Sequence, residues 1–296
     1  MAWLTLESGQ GSRGVEVEAC PQRRRPVNIR LLTSLGLIFL VVLFAGVGPW
    51  LYPVDPSAVV GRPHSVPSRQ YPLGTDARGR DVLAQLMFGT RTSLFIGVVA
   101  ASISLAAGVL IGVISGYKGG VVDELLMLTT NIMLAFPVIL LLLLLAVFVP
   151  ARGRSIVAVL IGLTSWPWLA RAVRAQIMSL KERQFVFLTK MSGYGSTRIA
   201  LAELLPNMFS YIVMAFVLLM SGAILAEAGM SMIGVGLTEG TSLGIMLFWS
   251  QMFEAVRRGL YWWFIPPGVI LVTLATSMLL LSTALDEYFN PRLRER

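Results

Sequence analysis

Residues 180–207 read LKERQFVFLTKMSGYGSTRIALAELLPN, a polar stretch that separates two apolar runs in the second half of the chain. Within it, Phe185, Leu188 and Met191 recur at i, i+3 and i+6, which predicts one apolar stripe along a helix. A short amphipathic helix held between membrane-buried runs is suited to docking into a groove of a partner protein. The stretch is therefore predicted to be an interaction element.

The same stretch predicts a second helix after a glycine break. Gly193 and Gly195 permit backbone conformations that end a helix at little cost. Ser196 is predicted to cap the second short helix, and Pro206 is predicted to stop it. An ordinary pair of surface helices would show the same pattern, so the pattern alone leaves both interpretations open.

The composition is that of a membrane protein. Of the 296 residues, 55% are hydrophobic and 14% are charged, whereas a soluble domain carries about 25% charged residues. The net charge of +8 is interpreted as a sign of membrane topology and not of nucleic-acid binding. A single cysteine, Cys20, excludes an internal disulfide and a multi-cysteine metal cluster, and a single histidine, His64, argues against histidine-based metal sites. The sequence lacks a Walker-type phosphate loop, so ATP hydrolysis is not assigned to this chain.

Six charge-free apolar runs follow a polar N-terminal stretch, at residues 31–51, 93–114, 125–149, 156–170, 209–226 and 263–285. Five are long enough to cross a bilayer, which takes about 20 residues. The fourth reaches that length if its helix continues past Arg171 and Arg174 while their side chains snorkel. The predicted fold class is an all-α polytopic membrane protein with six transmembrane helices. A shorter apolar run, 243–249, predicts an external interfacial or re-entrant helix.

An even number of spans places both termini on one side of the membrane. With the termini in the cytoplasm, 15 of the 24 lysine and arginine residues lie inside and 9 lie outside, in agreement with the positive-inside rule. The predicted organisation is a cytoplasmic tail (1–30), a first transmembrane helix (31–51), an external segment (52–91), a core domain of five helices (92–288) containing a cytoplasmic loop (175–207), and a cytoplasmic tail (289–296).

Three residues within or beside the spans are candidates for a structural or functional role. Pro137 and Pro167 are expected to kink the third and fourth helices, either to line a translocation path or for packing alone. Glu227 directly follows the uncharged run 209–226, and a carboxylate at such a depth is costly. A hydrogen bond to a neighbouring loop is its expected role, and proton coupling is the alternative. Small residues of the second span, among them Gly97, Gly108 and Gly112, predict close packing within the chain, with a partner interface as the alternative.

The stretch 180–207 resembles the cytoplasmic coupling loop, or EAA motif, of ABC-importer permeases, and is most similar to the C-type subunit of the dipeptide and oligopeptide subfamily. The loop of that family reads Glu-Tyr-Val, Glu-Ala-Ala, three residues, Gly, and about a dozen residues to Leu-Pro-Asn. The corresponding residues here are Gln184-Phe185-Val186, Phe187-Leu188-Thr189, Gly193 and Leu205-Pro206-Asn207. The glycine and the Leu-Pro-Asn keep their spacing, whereas Phe-Leu-Thr stands in place of Glu-Ala-Ala.

Five further motifs resemble the same family. Residues 71–82, YPLGTDARGRDV, are similar to its HPLGTDxxGRDV signature and predict an ordered cap on the second span, with Asp76 and Asp81 as hydrogen-bond acceptors and a substrate contact as the alternative role. SWPWLARAVR, at 165–174, carries Arg171 and Arg174 at the inner interface, where they are expected either to face headgroups or to set the inside orientation. The other three are GYKGGVVDE at 116–124, AEAGMSMIGVG at 226–236 and LDEYFNPRL at 285–293.

The resemblance implies one of two permease subunits, a heterodimer, in a type I ABC importer that works by alternating access in the cytoplasmic membrane of a prokaryote. The implied partners are a homologous second permease, one or two ABC ATPase subunits, an extracytoplasmic substrate-binding protein and membrane lipid, with no nucleic acid. The chain would be non-catalytic and hold no cofactor or metal, because the partner ATPases bind ATP and magnesium. Residues expected at the ATPase contact are Gln184, Phe185, Leu188, Met191, Gly193, Pro206 and Asn207.

Peptides are the cargo that the resemblance favours, and oligosaccharides, nickel or glutathione remain alternatives because members of the family carry them. An ion channel or an intramembrane enzyme is a remote alternative. A channel would need a pore-lining ring or filter, and an enzyme would need convergent ionisable residues, whereas the six runs contain no charged residue.

Overall fold

The computed structural model describes residues 29–289, which fold into twelve α-helices and one π-helical turn. The helices are α1 (Ile29–Leu51), α2 (Val82–Lys118), α3 (Gly120–Ala135), α4 (Val138–Phe148), α5 (Arg154–Thr164), α6 (Pro167–Lys181), α7 (Gln184–Met191), α8 (Ser196–Arg198), α9 (Leu205–Asn207), α10 (Phe209–Met232), α11 (Leu243–Met252) and α12 (Tyr261–Phe289). The π turn, Ile199–Leu204, joins α8 to α9. Predictions for residues 1–28 and 290–296, which include most of both tails, lie outside the described residues.

Six apolar spans form the bundle, as predicted, but two of them are broken. The helices α1, α2, α10 and α12 are each long and apolar enough to cross a membrane. Each of α3, α4, α5 and α6 is too short to cross a membrane alone, and the pairs α3 with α4 and α5 with α6 meet this test together, with bends of 90° and 44° at their breaks. The predicted all-α membrane fold is confirmed.

Pro137 and Pro167 lie at the two breaks. Phe136 has an extended backbone (φ −88°, ψ 133°), since the ring of a proline disfavours the helical conformation in the residue before it. Pro167 lies in the first turn of α6, where its missing N–H leaves no hydrogen bond unmade. The predicted kinks are therefore confirmed, and at Pro137 the helix is interrupted outright.

The long helix α2 starts much earlier than the apolar run 93–114 indicates. Asp81 caps it, because one carboxylate oxygen of Asp81 accepts a hydrogen bond from the Ala84 N–H at 2.9 Å. Helix α2 therefore begins at Val82, inside the stretch 52–91 that was predicted to lie outside the membrane. A capped helix needs no apolar surface in its first turns, so hydropathy cannot locate its start.

The glycines of α2 let it pack closely against α6 and α10. A Cβ atom on Gly112 would lie 2.6 Å from the Cβ of Val173, and one on Gly97 would lie 2.7 Å from Cγ1 of Ile224. Close packing within the chain is therefore confirmed for this stripe. We term the end of the bundle with residues 52–81, 149–153 and 233–260 the capped end; the α7–α9 segment (residues 184–207) lies at the opposite end.

An ion pair joins α3 to α6 at the opposite end. Arg174 donates from Nε to Asp123 Oδ1 at 2.6 Å and from Nη2 to Oδ2 at 2.5 Å, and the Ser115 hydroxyl of α2 also donates to Asp123. The sequence did not predict this partner of Arg174: a carboxylate of the same chain takes both arms of its guanidinium. Arg171 donates to Asn131 at 2.6 Å.

We expect Asp123→Asn to lower the stability of the folded chain by about 1–2 kcal/mol, since the charge of the acceptor is lost and the amide can accept from only one of the two guanidinium nitrogens. The measurement is the thermal unfolding midpoint in detergent. Glu124→Gln is the matched control, because Glu124 is the exposed neighbour of Asp123. Equal midpoints for the two variants would contradict a stabilising role for the pair.

Candidate functional site

Buried side chains anchor the α7–α9 segment to the bundle. Val186 of α7, together with Ile199 and Leu204 of the π turn, is buried. These side chains belong to one apolar cluster with residues of α2, α6 and α10: Val113, Leu169, Val173, Ile177, Ala215 and Leu219. A displacement of the segment would therefore disturb contacts with three spans.

The other face of α7 is apolar and exposed. The exposed fractions of Phe187, Leu188 and Met191 are 63%, 64% and 71%. Two of these residues were predicted at the contact, whereas the predicted stripe is wrong for Phe185, which is half-buried and packs against the anchoring cluster. Sequence reasoning missed Phe187, although its spacing of one and four residues from Leu188 and Met191 places the three on one arc of a helix.

Gly193 forms the bend after α7. Its φ is +80°, a region that residues with a Cβ rarely adopt. Gly195, which was also predicted to break the helix, has an ordinary extended conformation (φ −67°, ψ 154°). The predicted cap at Ser196 is wrong, since Gly195 holds the capping position and Ser196 is the first residue of α8.

The prediction that Pro206 stops the second helix is also wrong. Pro206 lies inside α9, and the helical path is interrupted two residues later at Met208. The π turn immediately before it carries a wider ring of hydrogen bonds, which relieves the clash between a proline ring and a preceding carbonyl. The neighbouring Asn207 donates to the Glu203 carbonyl at 2.7 Å, and Gln184 is the exposed first residue of α7.

A fully buried carboxylate, Glu227 on α10, joins three elements near the capped end. Its Oε1 accepts hydrogen bonds from the hydroxyls of Ser231 at 2.7 Å and Ser242 at 2.6 Å, and its Oε2 accepts one from Ser93 at 3.3 Å. Ser93 lies on α2, and Ser242 caps α11 by accepting from the Ile245 N–H at 3.1 Å. The geometry agrees with the expected hydrogen bond to a neighbouring loop.

The two broken spans face a small apolar pocket of about 210 Å³. Val138, which follows Pro137, and Pro167 itself line this pocket, opposite Gly222 of α10. Irregular backbone at membrane depth is tolerated where it is buried in protein or lines a cavity. The structure thus brings the two proline breaks to one place.

The bundle combines broken third and fourth spans with an anchored amphipathic segment. Residues 108–295 match the family model of binding-protein-dependent transport system inner membrane components. The chain belongs to this family. The matched range contains the α7–α9 segment, Glu227 and both proline breaks, so the features described above lie within the family domain.

Individual relatives cover most of this permease. It is 34% identical to the dipeptide transport system permease protein DppC of Bacillus subtilis, over 89% of the permease and 82% of that relative. It is 31% identical to the oligopeptide transport system permease protein OppC of the same organism, over 89% and 86%. It is also 31% identical to the nickel transport system permease protein NikC of Escherichia coli, over 88% and 93%.

The cap before α2 lies outside the family model and is ordered by two buried aspartates. Asp76 Oδ1 accepts from the backbone N–H groups of Arg78 and Arg80, both at 2.8 Å. Asp81 accepts from the Tyr52 hydroxyl at 2.8 Å, and burial together with this bond raises the pKa of Tyr52 to about 12. The hydroxyl therefore keeps its proton at neutral pH, and the predicted ordered cap is confirmed.

We expect Glu227→Ala to destabilise the permease by at least about 2 kcal/mol, because three buried hydroxyls lose their acceptor. Glu227→Gln is the matched comparison: its remaining oxygen can accept from Ser231 and Ser242, and its amide can donate to Ser93. We expect Glu227→Gln to stay close to the wild type in detergent thermal unfolding.

Both variants also separate a structural role from proton coupling. A structural role predicts that Glu227→Gln retains transport, whereas a proton-carrying carboxylate would lose it. A stable Glu227→Gln permease without transport would contradict the structural interpretation.

Proposed function

We propose that this permease forms half of the transmembrane pathway of an ATP-driven importer of peptides, and that the α7–α9 segment is its contact with the ATPase. The observation that carries the proposal is the exposed apolar face of α7 on a segment whose other face is buried in the bundle. Phe187, Leu188 and Met191 supply a docking surface, while Val186, Ile199 and Leu204 transmit its displacement. The names of the dipeptide and oligopeptide permeases among its relatives support the choice of cargo.

We further infer the partners and the orientation of this permease from its family and its charge distribution. The capped end faces outward and receives substrate from an extracytoplasmic binding protein, while both termini and the α7–α9 segment lie in the cytoplasm, as the excess of basic residues on that side supports. A second, homologous permease completes the pathway, and one or two partner ATPases bind and hydrolyse ATP with magnesium. Closure of the ATPases moves the two permeases between inward-facing and outward-facing states.

The pocket between the two broken spans is the candidate for part of the pathway. Pro137 and Pro167 interrupt helices on its wall, and an interrupted helix offers backbone groups that a passing polar substrate can contact. Glu227 serves the frame of this pathway by holding α11 against α2 and α10.

Uptake by a strain that lacks the gene tests the cargo. The strain, complemented with the permease, should recover import of a radiolabelled dipeptide, and purification of the tagged chain in mild detergent should recover a second permease, an ATPase and a binding protein. Recovery of nickel uptake without dipeptide uptake would replace peptide by nickel as the cargo. Recovery of neither, with the chain purifying alone, would overturn the importer proposal.

We expect Gly193→Val to uncouple ATP hydrolysis from transport, because a side chain at φ +80° costs about 1–2 kcal/mol and would reorient α7. The measurements are dipeptide uptake and substrate-stimulated ATPase activity of the purified complex. Gly195→Val is the matched control, since Gly195 has negative φ and a Cβ would meet nothing within 4 Å at either glycine.

The spans should still insert in the Gly193→Val protein, which membrane fractionation checks. Normal uptake together with normal ATPase stimulation would contradict the role of the bend, and equal losses in both glycine variants would assign the effect to bulk alone.

A further inference from the structure

A cleft of about 540 Å³ opens at the capped end, where the cap before α2, the α4–α5 connection, the loop after α10 and helix α11 come together. We term it the arginine cleft. Its polar wall and its aromatic base include Arg78, Arg80, Arg152, Thr238, Thr241 and Trp249. The volume lies in the range of small-molecule sites, about 300–1,000 Å³.

Two of the three guanidinium groups are held by contacts within the chain. Arg152 donates from Nε to the Gly236 carbonyl at 3.0 Å and from Nη1 to the Ala146 carbonyl at 2.8 Å, which fixes its orientation. The guanidinium carbon of Arg78 lies 3.9 Å from the centroid of the Trp249 ring, a cation–π contact that holds it over the aromatic base.

Arg80 is the group that the protein leaves unpaired. Its Nε is buried and has no hydrogen-bond partner among residues 29–289. A buried donor without an acceptor costs free energy unless a ligand or water supplies one. Arg80 also lines the open cleft and forms no salt bridge within residues 29–289, so its guanidinium is available to an anionic ligand there.

Two acidic residues near the rim, Asp55 and Glu239, do not neutralise the three arginines of the cleft. The Ser57 backbone N–H, 2.8 Å from Asp55 Oδ1, is the main cause that holds the pKa of Asp55 below its usual range, with a smaller contribution from Arg80. Asp55 forms no salt bridge with an arginine within residues 29–289. Glu239 is exposed between two lining residues, so three arginines still exceed two acids.

We propose that the arginine cleft binds the carboxylate of a small organic acid. A planar guanidinium offers paired N–H donors that match the two oxygens of a carboxylate, and Trp249 provides an apolar surface for the rest of the molecule. In the function proposed above, the ligand is a short peptide bound through its C-terminal carboxylate, and this identification rests on that proposal.

The shape of the cleft favours a small molecule over an acidic side chain of a docked protein. Four segments of chain enclose a space much larger than one carboxylate needs, and an aromatic ring lies at its base. Protein interfaces use extended and comparatively flat surfaces, whereas small ligands occupy concave pockets lined by aromatic and a few polar groups.

Binding to the full-length permease in lipid nanodiscs at low ionic strength tests the inference by isothermal titration calorimetry. The probes are the dipeptide Ala-Phe and its C-terminal amide. We expect the free acid to bind and the amide to bind about tenfold more weakly or worse, because the amide lacks the charge that the arginines recognise. This comparison requires no variant, so a folding defect cannot obscure it.

Substitutions then locate the site. Arg80→Gln should weaken binding of the acid about tenfold, and Arg80→Lys should fall between that variant and the wild type, since it keeps the charge but loses the paired donors. Arg258→Gln is the matched control, an exposed arginine at the capped end outside the cleft, and it should leave the dissociation constant within about twofold.

Several results would overturn the inference. These are equal binding of the acid and the amide, no binding of either, inorganic phosphate alone binding as tightly as the peptide, or an unchanged dissociation constant in Arg80→Gln. Weakened capture of the binding protein by Arg80→Gln, with peptide binding unchanged, would assign the arginines to protein docking instead. Selective binding of the acid by a permease that imports no peptide would support the cleft while the proposed function fails.

Discussion

The capped end of this permease depends on one buried carboxylate. Glu227 lies where water is scarce, so its oxygens must be satisfied by the chain itself. Hydroxyls from α2, α10 and the start of α11 do so, and Ser93 in turn accepts from the Leu243 N–H at 3.2 Å. Because Ser93, Ser231 and Ser242 lie on α2, on α10 and at the start of α11, the carboxylate sets how closely these three helices approach one another. The close passage of Gly244 against Ala228, where a Cβ would lie 2.7 Å from a backbone atom, follows from that approach.

At the opposite end a carboxylate again joins several helices, but it is partly exposed and so constrains them less. The carboxylate of Asp123 is paired with Arg174 and bonded by Ser115, so α2, α3 and α6 meet around one acid. This group is partly exposed, whereas Glu227 is fully buried. Between the two ends, the glycine stripe of α2 supplies close apolar packing. The bundle is therefore pinned by polar groups at its ends and packed by small residues along its length, while the two broken spans lie between these attachments.

Hydropathy and local motifs predicted the features that depend on neighbouring residues in the sequence. Six spans, the breaks at Pro137 and Pro167, the bend at Gly193 and the acceptors of the cap all depend on short stretches of chain. Contacts between distant residues were beyond such reasoning: Ser93 is 134 residues from Glu227, and Arg174 is 51 residues from Asp123. The predicted orientation of α7 was also wrong. Phe185 and Phe187 are chemically alike, and only the packing of Val186 and Ile199 decides which of them faces the bundle. The start of α2 was missed because a polar cap, not apolar surface, determines it.

The α7–α9 segment carries its attachment and its exposed face on different residues. Val186, Ile199 and Leu204 belong to the interior, where close packing makes any substitution costly, whereas Phe187, Leu188 and Met191 contact only what lies beyond the chain. Surface residues of this kind can drift in sequence without disturbing the interior. Phe-Leu-Thr in place of Glu-Ala-Ala is a change confined largely to that outer face. The exposed outer face and the attachment to the bundle are thus encoded by separate residues, so one can change in sequence while the other is kept.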